Sequence, residues 1–229
     1  MLQTHETMTE VGASGAVRFA PATQDTASDE DLLSVLNYAL TLEHLENAFY
    51  RDGLASFTVD AFTALGFQPS VVDYIAEIGN DELTHVETLT TVITDLGGTP
   101  VAEGTYDFAA AYADPTAFLA TAMALENTGV DAYTGAAQYL IDNDDLLTAA
   151  LTIHGVEARH AAYLNILNNE DPFPDAFDEP LTPAEVVEIA GPFIVDAEVV
   201  TPLAAGGVGG DATPAADGDD SALDATPTA

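Results

Sequence analysis

Four segments of this chain repeat apolar residues at the helical period. Each breaks its apolar stripe with a glutamate where that period of about 3.6 requires a core residue. The first stripe passes Leu32, Val35, Leu36 and Ala39, then Glu43, Glu46 and Tyr50. The second runs from Val71, Ile75 and Ile78 through Glu82 and His85 to Leu89, Val92 and Leu96. The third carries Leu119, Ala122, Glu126, Gly129, Tyr133, Ala136 and Leu140, and the fourth Leu146, Ala150, Ile153, Glu157, His160, Leu164 and Leu167. A buried, unpaired carboxylate costs several kcal/mol, and four facing one another cost more. Glu43, Glu82, Glu126 and Glu157 therefore require cations among them, and two divalent ions balance four carboxylates.

Position matters because acids are everywhere else. The 229 residues hold 39 Asp and Glu against three basic residues, Arg18, Arg51 and Arg159, for a formal charge of −36. An isolated acid in such a chain reads as solvent-facing charge, and the balance points to a halophilic proteome. It excludes nucleic acid and anionic membrane surfaces as partners. Cysteine is absent, which removes disulfides, thiolate metal sites and iron–sulfur clusters, so a metal site must use His and carboxylates. No apolar run reaches the roughly 18 residues of a membrane span, and Met1–Glu6 opens without a basic region or twin arginine, so the expected location is cytoplasmic.

Local signals place the boundaries. Residues 1–27, rich in Thr, Ala, Gly and Ser, read as a mobile arm. Ser28-Asp29-Glu30-Asp31 starts a helix that runs to about Leu54. A loop or short helix around 58–67 precedes a second long helix from Ser70 to about Leu96, stopped by Gly97-Gly98. The connection 97–114 reaches on the order of 60 Å when extended. That exceeds the roughly 40 Å of a 27-residue helix, so the connection can cross a bundle end to end. Asp114-Pro115 opens the third helix. The fourth runs from about Asp145 to Asn168, after a break at Asp142-Asn143-Asp144. Thr182-Pro183-Ala184-Glu185 is a capping box for a short final helix to about Ala190. The expected organisation is an all-α four-helix bundle over 28–169, an extension over 170–203 that packs on it, and a disordered tail over 204–229, with no strand pattern competing.

Spacing sharpens the site. Glu82-Leu83-Thr84-His85 and Glu157-Ala158-Arg159-His160 are both Glu-x-x-His, which puts carboxylate and imidazole on one helix face within reach of one ion. Oxygen with imidazole nitrogen suits iron, manganese or zinc. The first and third helices share Glu-x6-Tyr, as Glu43/Tyr50 and Glu126/Tyr133, so the chain reads as two related helix pairs around a pseudo-twofold site. Glu46, one turn from Glu43, is an alternative or additional ligand. Tyr50 and Tyr133 are candidates for passing electrons or bonding a ligand, against the plainer reading of aromatic packing. Asp81 is weighed as support for a ligating His. Arg159 reads as pairing with a core acid or solvating its helix, His154 as a hydrogen-bonded core residue or extra ligand, His44 as pointing off the Glu43 face, and His5 as part of the arm.

Two single Glu plus two Glu-x-x-His pairs resemble the ferritin-like di-metal carboxylate bundles. The words Leu36-Asn37-Tyr38-Ala39-Leu40-Thr41-Leu42-Glu43-His44-Leu45-Glu46 and Asn47-Ala48-Phe49-Tyr50, with Asp171-Pro172-Phe173-Pro174 after the fourth helix, resemble that superfamily's desiccation-related branch. The resemblance implies terminal or bridging roles for Glu43 and Glu126, bridging candidates in Glu82 and Glu157, and one metal each for His85 and His160. It implies two Fe or two Mn ions, with Zn as a further option, and an oxidoreductase reacting with dioxygen or peroxide. The alternatives are a stress-related structural protein without turnover, or an iron-binding or storage protein. The expected partners are metal ions and small oxidants, with a homodimer as an open option.

Overall fold

A computed structural model describes residues 5–11, 17–22 and 28–196. Four long helices form the body: α1 (Asp29–Ser56), α3 (Ser70–Asp95), α4 (Pro115–Ala136) and α5 (Asp144–Leu167). Short α2 (Val59–Thr63) joins the first pair, and α6 (Pro183–Ala190) follows the last. No helix among the described residues is long and apolar enough to cross a membrane.

The helix ends form where cap chemistry dictates. Ser28 accepts from the Asp31 amide while the Asp31 carboxylate accepts from the Ser28 amide, so two amides at the start of α1 are satisfied reciprocally. Asp114 Oδ1 accepts from the amides of Thr116 and Ala117 at 2.8 and 2.9 Å, and Pro115 supplies the first turn of α4. Asn143 caps α5 through the Leu146 amide, and Thr182 with Glu185 boxes α6. Gly97, at φ 80°, ends α3 in a left-handed residue that lets the Gly98 amide return to the Ile93 carbonyl at 2.9 Å.

The helices pack chiefly as α1 on α3 and α4 on α5, with α1 also meeting α4. Beside a small apolar cluster of Tyr38, Ala132 and Val186, their interior holds two large ones. One holds Phe49, Phe62, Phe108, Phe118 and Ile75; the other holds Leu36, Leu40, Ile93, Leu140 and Ile153. In every long helix the glutamates lie between residues of one cluster and residues of the other, so the carboxylates form a layer across the middle of the bundle. The crossover after α3 is held by Asn37, which accepts from the Val101 amide at 2.8 Å and donates to the Thr99 carbonyl at 3.2 Å. His44 points the same way, with Nε2 3.3 Å from the Val101 carbonyl oxygen, as its position off the Glu43 face implied.

Strands are present where none were expected. β1 (His5–Val11) and β2 (Val17–Ala22) pair antiparallel inside the segment read as an arm without regular structure. The missed signal is the alternation of β-branched Thr7, Thr9 and Val11 with Glu6, Met8 and Glu10, which is obscured by the small polar residues around it. β3 (Thr105–Tyr106) in the crossover pairs with β4 (Ile194–Asp196) after α6, so the C-terminal extension is tied to the crossover. Two-residue and three-residue strands carry no periodic pattern long enough to read. Residues 197–203 of the extension, and the tail over 204–229, lie outside the described residues.

Candidate metal centre

Seven side chains meet in the middle layer: Glu43 and Glu46 from α1, Glu82 and His85 from α3, Glu126 from α4, and Glu157 and His160 from α5. None is more than 7% exposed. Five carboxylates thus share one space shielded from bulk solvent. The chain's two basic neighbours there are the imidazoles.

The geometry sorts them into two overlapping sets. One oxygen or nitrogen from each of Glu43, Glu82, His85 and Glu157 lies within 4.8 Å of the others, and the same is true of Glu82, Glu126, Glu157 and His160. His85 Nδ1 is 3.2 Å from Glu43 Oε2, 3.0 Å from Glu82 Oε2 and 3.2 Å from Glu157 Oε1. His160 Nδ1 is 3.0 Å from Glu82 Oε1 and 3.3 Å from Glu126 Oε2. Glu82 therefore turns one oxygen to each imidazole, and with Glu157 it belongs to both sets.

Hydrogen bonding leaves this cluster unfinished. A single imidazole N–H cannot serve the three oxygens around His85 Nδ1. Glu82 Oε1, Glu126 Oε2, Glu157 Oε1 and His160 Nδ1 are buried with imidazole–carboxylate contacts of 3.0–3.3 Å but no well-formed hydrogen bond, and Glu157 Oε2 is buried with neither. Buried polar atoms left unpaired in such number call for an ion. Three carboxylates and one imidazole per set are the donors that iron, manganese and zinc accept, so the residues fit the ion pair that the sequence pattern implied. Behind the cluster, His160 Nε2 sits 3.2 Å from Asp81 Oδ2, which orients the ring with Nδ1 inward.

Electrostatics agree. Burial, then the charge of Glu157, raises the Glu46 carboxyl well above the usual range. Burial and the charge of Glu82 do the same to Glu157, and burial with the charge of Glu126 pushes Glu82 up to about 7. Burial opposes protonation of His85, yet Glu157, Glu43 and Glu82 together hold it well above the ordinary imidazole range. Burial likewise opposes protonation of His160, but Glu126 and Glu82 outweigh it and raise the ring to about 11. These directions follow from burial and the mutual repulsion of the carboxylates, offset in part by the two imidazoles.

The two tyrosines reach across the bundle. Tyr50 Oη donates to Glu126 Oε1 at 2.5 Å, and Tyr133 Oη donates to Glu43 Oε1. The shared Glu-x6-Tyr spacing reads as a pseudo-twofold repeat, and the two contacts are related in that way. Seven residues span about 10 Å of helix, which is too far for a direct bond, so each tyrosine meets the glutamate of the other helix. Each hydroxyl fixes one oxygen of its carboxylate and leaves the other, Glu43 Oε2 or Glu126 Oε2, toward an imidazole. Tyr50→Phe or Tyr133→Phe strips a donor from a buried carboxylate, and each is expected to lower stability by about 1–3 kcal/mol. Chemical denaturation of the single variants checks this, and an unchanged midpoint would refute it.

The remaining candidates lie elsewhere. His154 hydrogen-bonds with Thr134 Oγ1 at 3.0 Å and faces Asp178 at 3.6 Å, which ties α5 to α4 and the extension and places it outside the cluster. Arg159 pairs with no core acid among the described residues. It lines a cleft of about 670 Å³ between α3 and α5, with Tyr74, Tyr163, Asp81 and the imidazoles of His85 and His160. The crossed tyrosine contacts and the cleft were not legible in the sequence, since both depend on how α1, α3, α4 and α5 face one another.

The chain matches a protein family described as a ferritin-like domain over residues 31–170, from the first turn of α1 to just past α5. No curated protein matches it.

Proposed function

Because this chain belongs to the ferritin-like domain family, we propose that its carboxylate layer holds two iron or manganese ions and that the protein is an oxidoreductase acting on dioxygen or peroxide. The observation that carries the reading is the membership of Glu82 and Glu157 in both donor sets, with buried oxygens left unpaired. In this reading Glu82 and Glu157 span the two positions. Glu43 and His85 complete one, and Glu126 and His160 complete the other.

Iron or manganese bound there supplies a change of oxidation state and an open position for a small oxidant. The chain supplies the rest. Tyr50 and Tyr133 hold Glu126 and Glu43 to one inward oxygen each, and Asp81 fixes the His160 ring. The Phe49–Phe118 stack on one side and the Leu40 and Ile93 layer on the other keep water from the cluster. The cleft between α3 and α5 is the route by which an oxidant reaches the histidine edges. Burial, and then the charges of Glu126 and Glu43, push the Tyr50 and Tyr133 hydroxyls well above the ordinary range, so they hold their protons and act as donors.

Elemental analysis of protein isolated without chelators tests this directly. The expected result is iron or manganese at two ions per chain, consumption of oxygen or peroxide by the loaded protein, and loss of that turnover in Glu126→Ala. A loaded protein inert to both oxidants would overturn the oxidoreductase reading.

A second reading is favoured by the same buried charge: ions that offset most of the charge of five carboxylates stabilise a bundle whether or not they turn over. A stress-related structural protein of the desiccation-related type would contain zinc and show no activity. Storage would require a many-subunit shell, and sedimentation as a monomer or dimer excludes it. A cytoplasmic location and adaptation to high salt belong to the same proposal, the latter resting on the charge of −36.

A further inference from the structure

Three of the four long helices have their outer faces accounted for. α1 carries the crossover, through Asn37, His44 and the 2.9 Å pair of Arg51 with Glu103. α4 carries the extension: the Leu181 amide donates to the Asp131 carbonyl at 3.2 Å, and a Cβ at Gly135 would strike the Leu181 carbonyl oxygen. α3 turns exposed Asp73, Glu77, Glu87 and Asp95 to solvent. The outer face of α5 is neither covered by another described element nor acidic.

Between Asp145 and Glu170 the only acid is Glu157, which is buried in the cluster, although the chain holds 39 Asp and Glu in 229 residues. The outward positions are Leu151, Gly155, Ala158, Ala162 and Ile166, with Arg159 beside them. Leu151 is 54% exposed and Ile166 56%. A Cβ at Gly155 would meet only Arg159 Nη1, at 3.9 Å. Nothing within the chain therefore requires a glycine there, in mid-helix, where it weakens the helix relative to alanine.

The order along this face reads the same from both ends: large, small, small, large. Leu151 and Ile166 are equidistant from the midpoint between Ala158 and Arg159, and so are Gly155 and Ala162. A second α5 crossing antiparallel at that midpoint sets Leu151 of one copy against Ile166 of the other, and Gly155 against Ala162, twice over. That self-complementarity is what a twofold contact demands. Charge selects the same partner. Two chains of −36 repel wherever acids face acids, and here a copy approaches without bringing carboxylates together. The charge on the face is Arg159, which has no ion-pair partner among the described residues. A basic partner would be drawn to α3 instead.

We propose that the outer face of α5 is a homodimer interface. Two copies of this chain meet there about a twofold axis passing between Ala158 and Arg159, and Gly155 admits the close approach of the two helices. The contact needs no metal and stands apart from the reading of the carboxylate layer.

Sedimentation of the full chain in high salt should give a dimer. Leu151→Glu and Ile166→Glu place an acid on the face, and each should weaken the dimer by at least about 100-fold, because an unpaired carboxylate is then buried at both ends of the contact. Both positions are exposed in the single chain, so the variants should keep the wild-type circular dichroism. Thr88→Glu, on the exposed side of α3, should leave the dimer intact. Orientation is read by crosslinking, since the chain has no cysteine of its own. Under mild oxidant, a mixture of Gly155→Cys and Ala162→Cys chains should form a disulfide-linked pair of one of each, well above what either chain forms alone. A wild-type monomer, an assembly that both Glu variants leave intact, or a mixture that crosslinks no better than either chain alone overturns the proposal.

Discussion

Glu82→Gln is expected to release both metal ions at once. Glu82 places Oε2 3.0 Å from His85 Nδ1 and Oε1 3.0 Å from His160 Nδ1, so it serves both donor sets. Loss of a group behind a ligand costs about 10–100-fold in metal affinity. Loss of a shared ligand should weaken each ion by at least about 100-fold. Glu43→Gln and Glu126→Gln, each confined to one set, should weaken one ion and spare the other. Metal content after dialysis, measured beside a titration of each variant, separates the cases. Retention of one tight ion by Glu82→Gln would show that Glu82 serves a single position. The same substitution carries a second, opposite effect. Burial holds the Glu82 carboxyl at about 7, so its charge is unfavourable in the metal-free fold at pH 8. The metal-free variant should therefore melt above the metal-free wild type, while the order reverses when metal is added.

Metal addition should raise the melting temperature by roughly 15–30 °C at free metal near 1,000 times Kd. Each ion then contributes about 4 kcal/mol, and each kcal/mol moves the midpoint of a domain of this size by about 2–4 °C. The pH dependence has a definite sign. Glu46, Glu82 and Glu157 are raised above the ordinary carboxyl range, and His85 and His160 above the ordinary imidazole range. A group raised in the folded state contributes stability that is complete below its unfolded value and is lost as pH climbs through its folded value. For Glu82 that window runs from about 4.5 to about 7, and for His160 from about 6.5 to about 11. The metal-free protein should therefore melt at falling temperature from pH 5 to pH 9. Metal displaces those protons, so the stabilisation it brings should grow over the same range. Melting curves at pH 5, 7 and 9 in constant high salt, with and without Mn²⁺, test both signs. A metal-free midpoint that rises with pH would refute the account.

Much of this was readable before any coordinates. Helices α1, α4, α5 and α6 begin within a residue or two of their cap signals because Ser28, Asp114, Asn143 and Thr182 act through their own neighbours. Glu82 with His85, and Glu157 with His160, are brought together by helix geometry alone. What escaped depends on the packing of one helix against another. The crossed Tyr50–Glu126 and Tyr133–Glu43 bonds and the pairing of Thr105–Tyr106 with Ile194–Asp196 join residues far apart in the chain. Asp81 was weighed as support for a histidine, and only the α3–α5 approach decides that it meets His160 and not His85.

The carboxylate layer also separates the two larger apolar clusters. Phe49, Phe118 and their neighbours share no cluster with Leu40, Ile93 and theirs, and the carboxylates between them repel one another. On the proposed metal-pair reading, ions held there are expected to couple the two ends of the bundle in unfolding. Amide exchange measured without metal should then show faster exchange around the glutamates than deep in either cluster, and added Mn²⁺ should slow it.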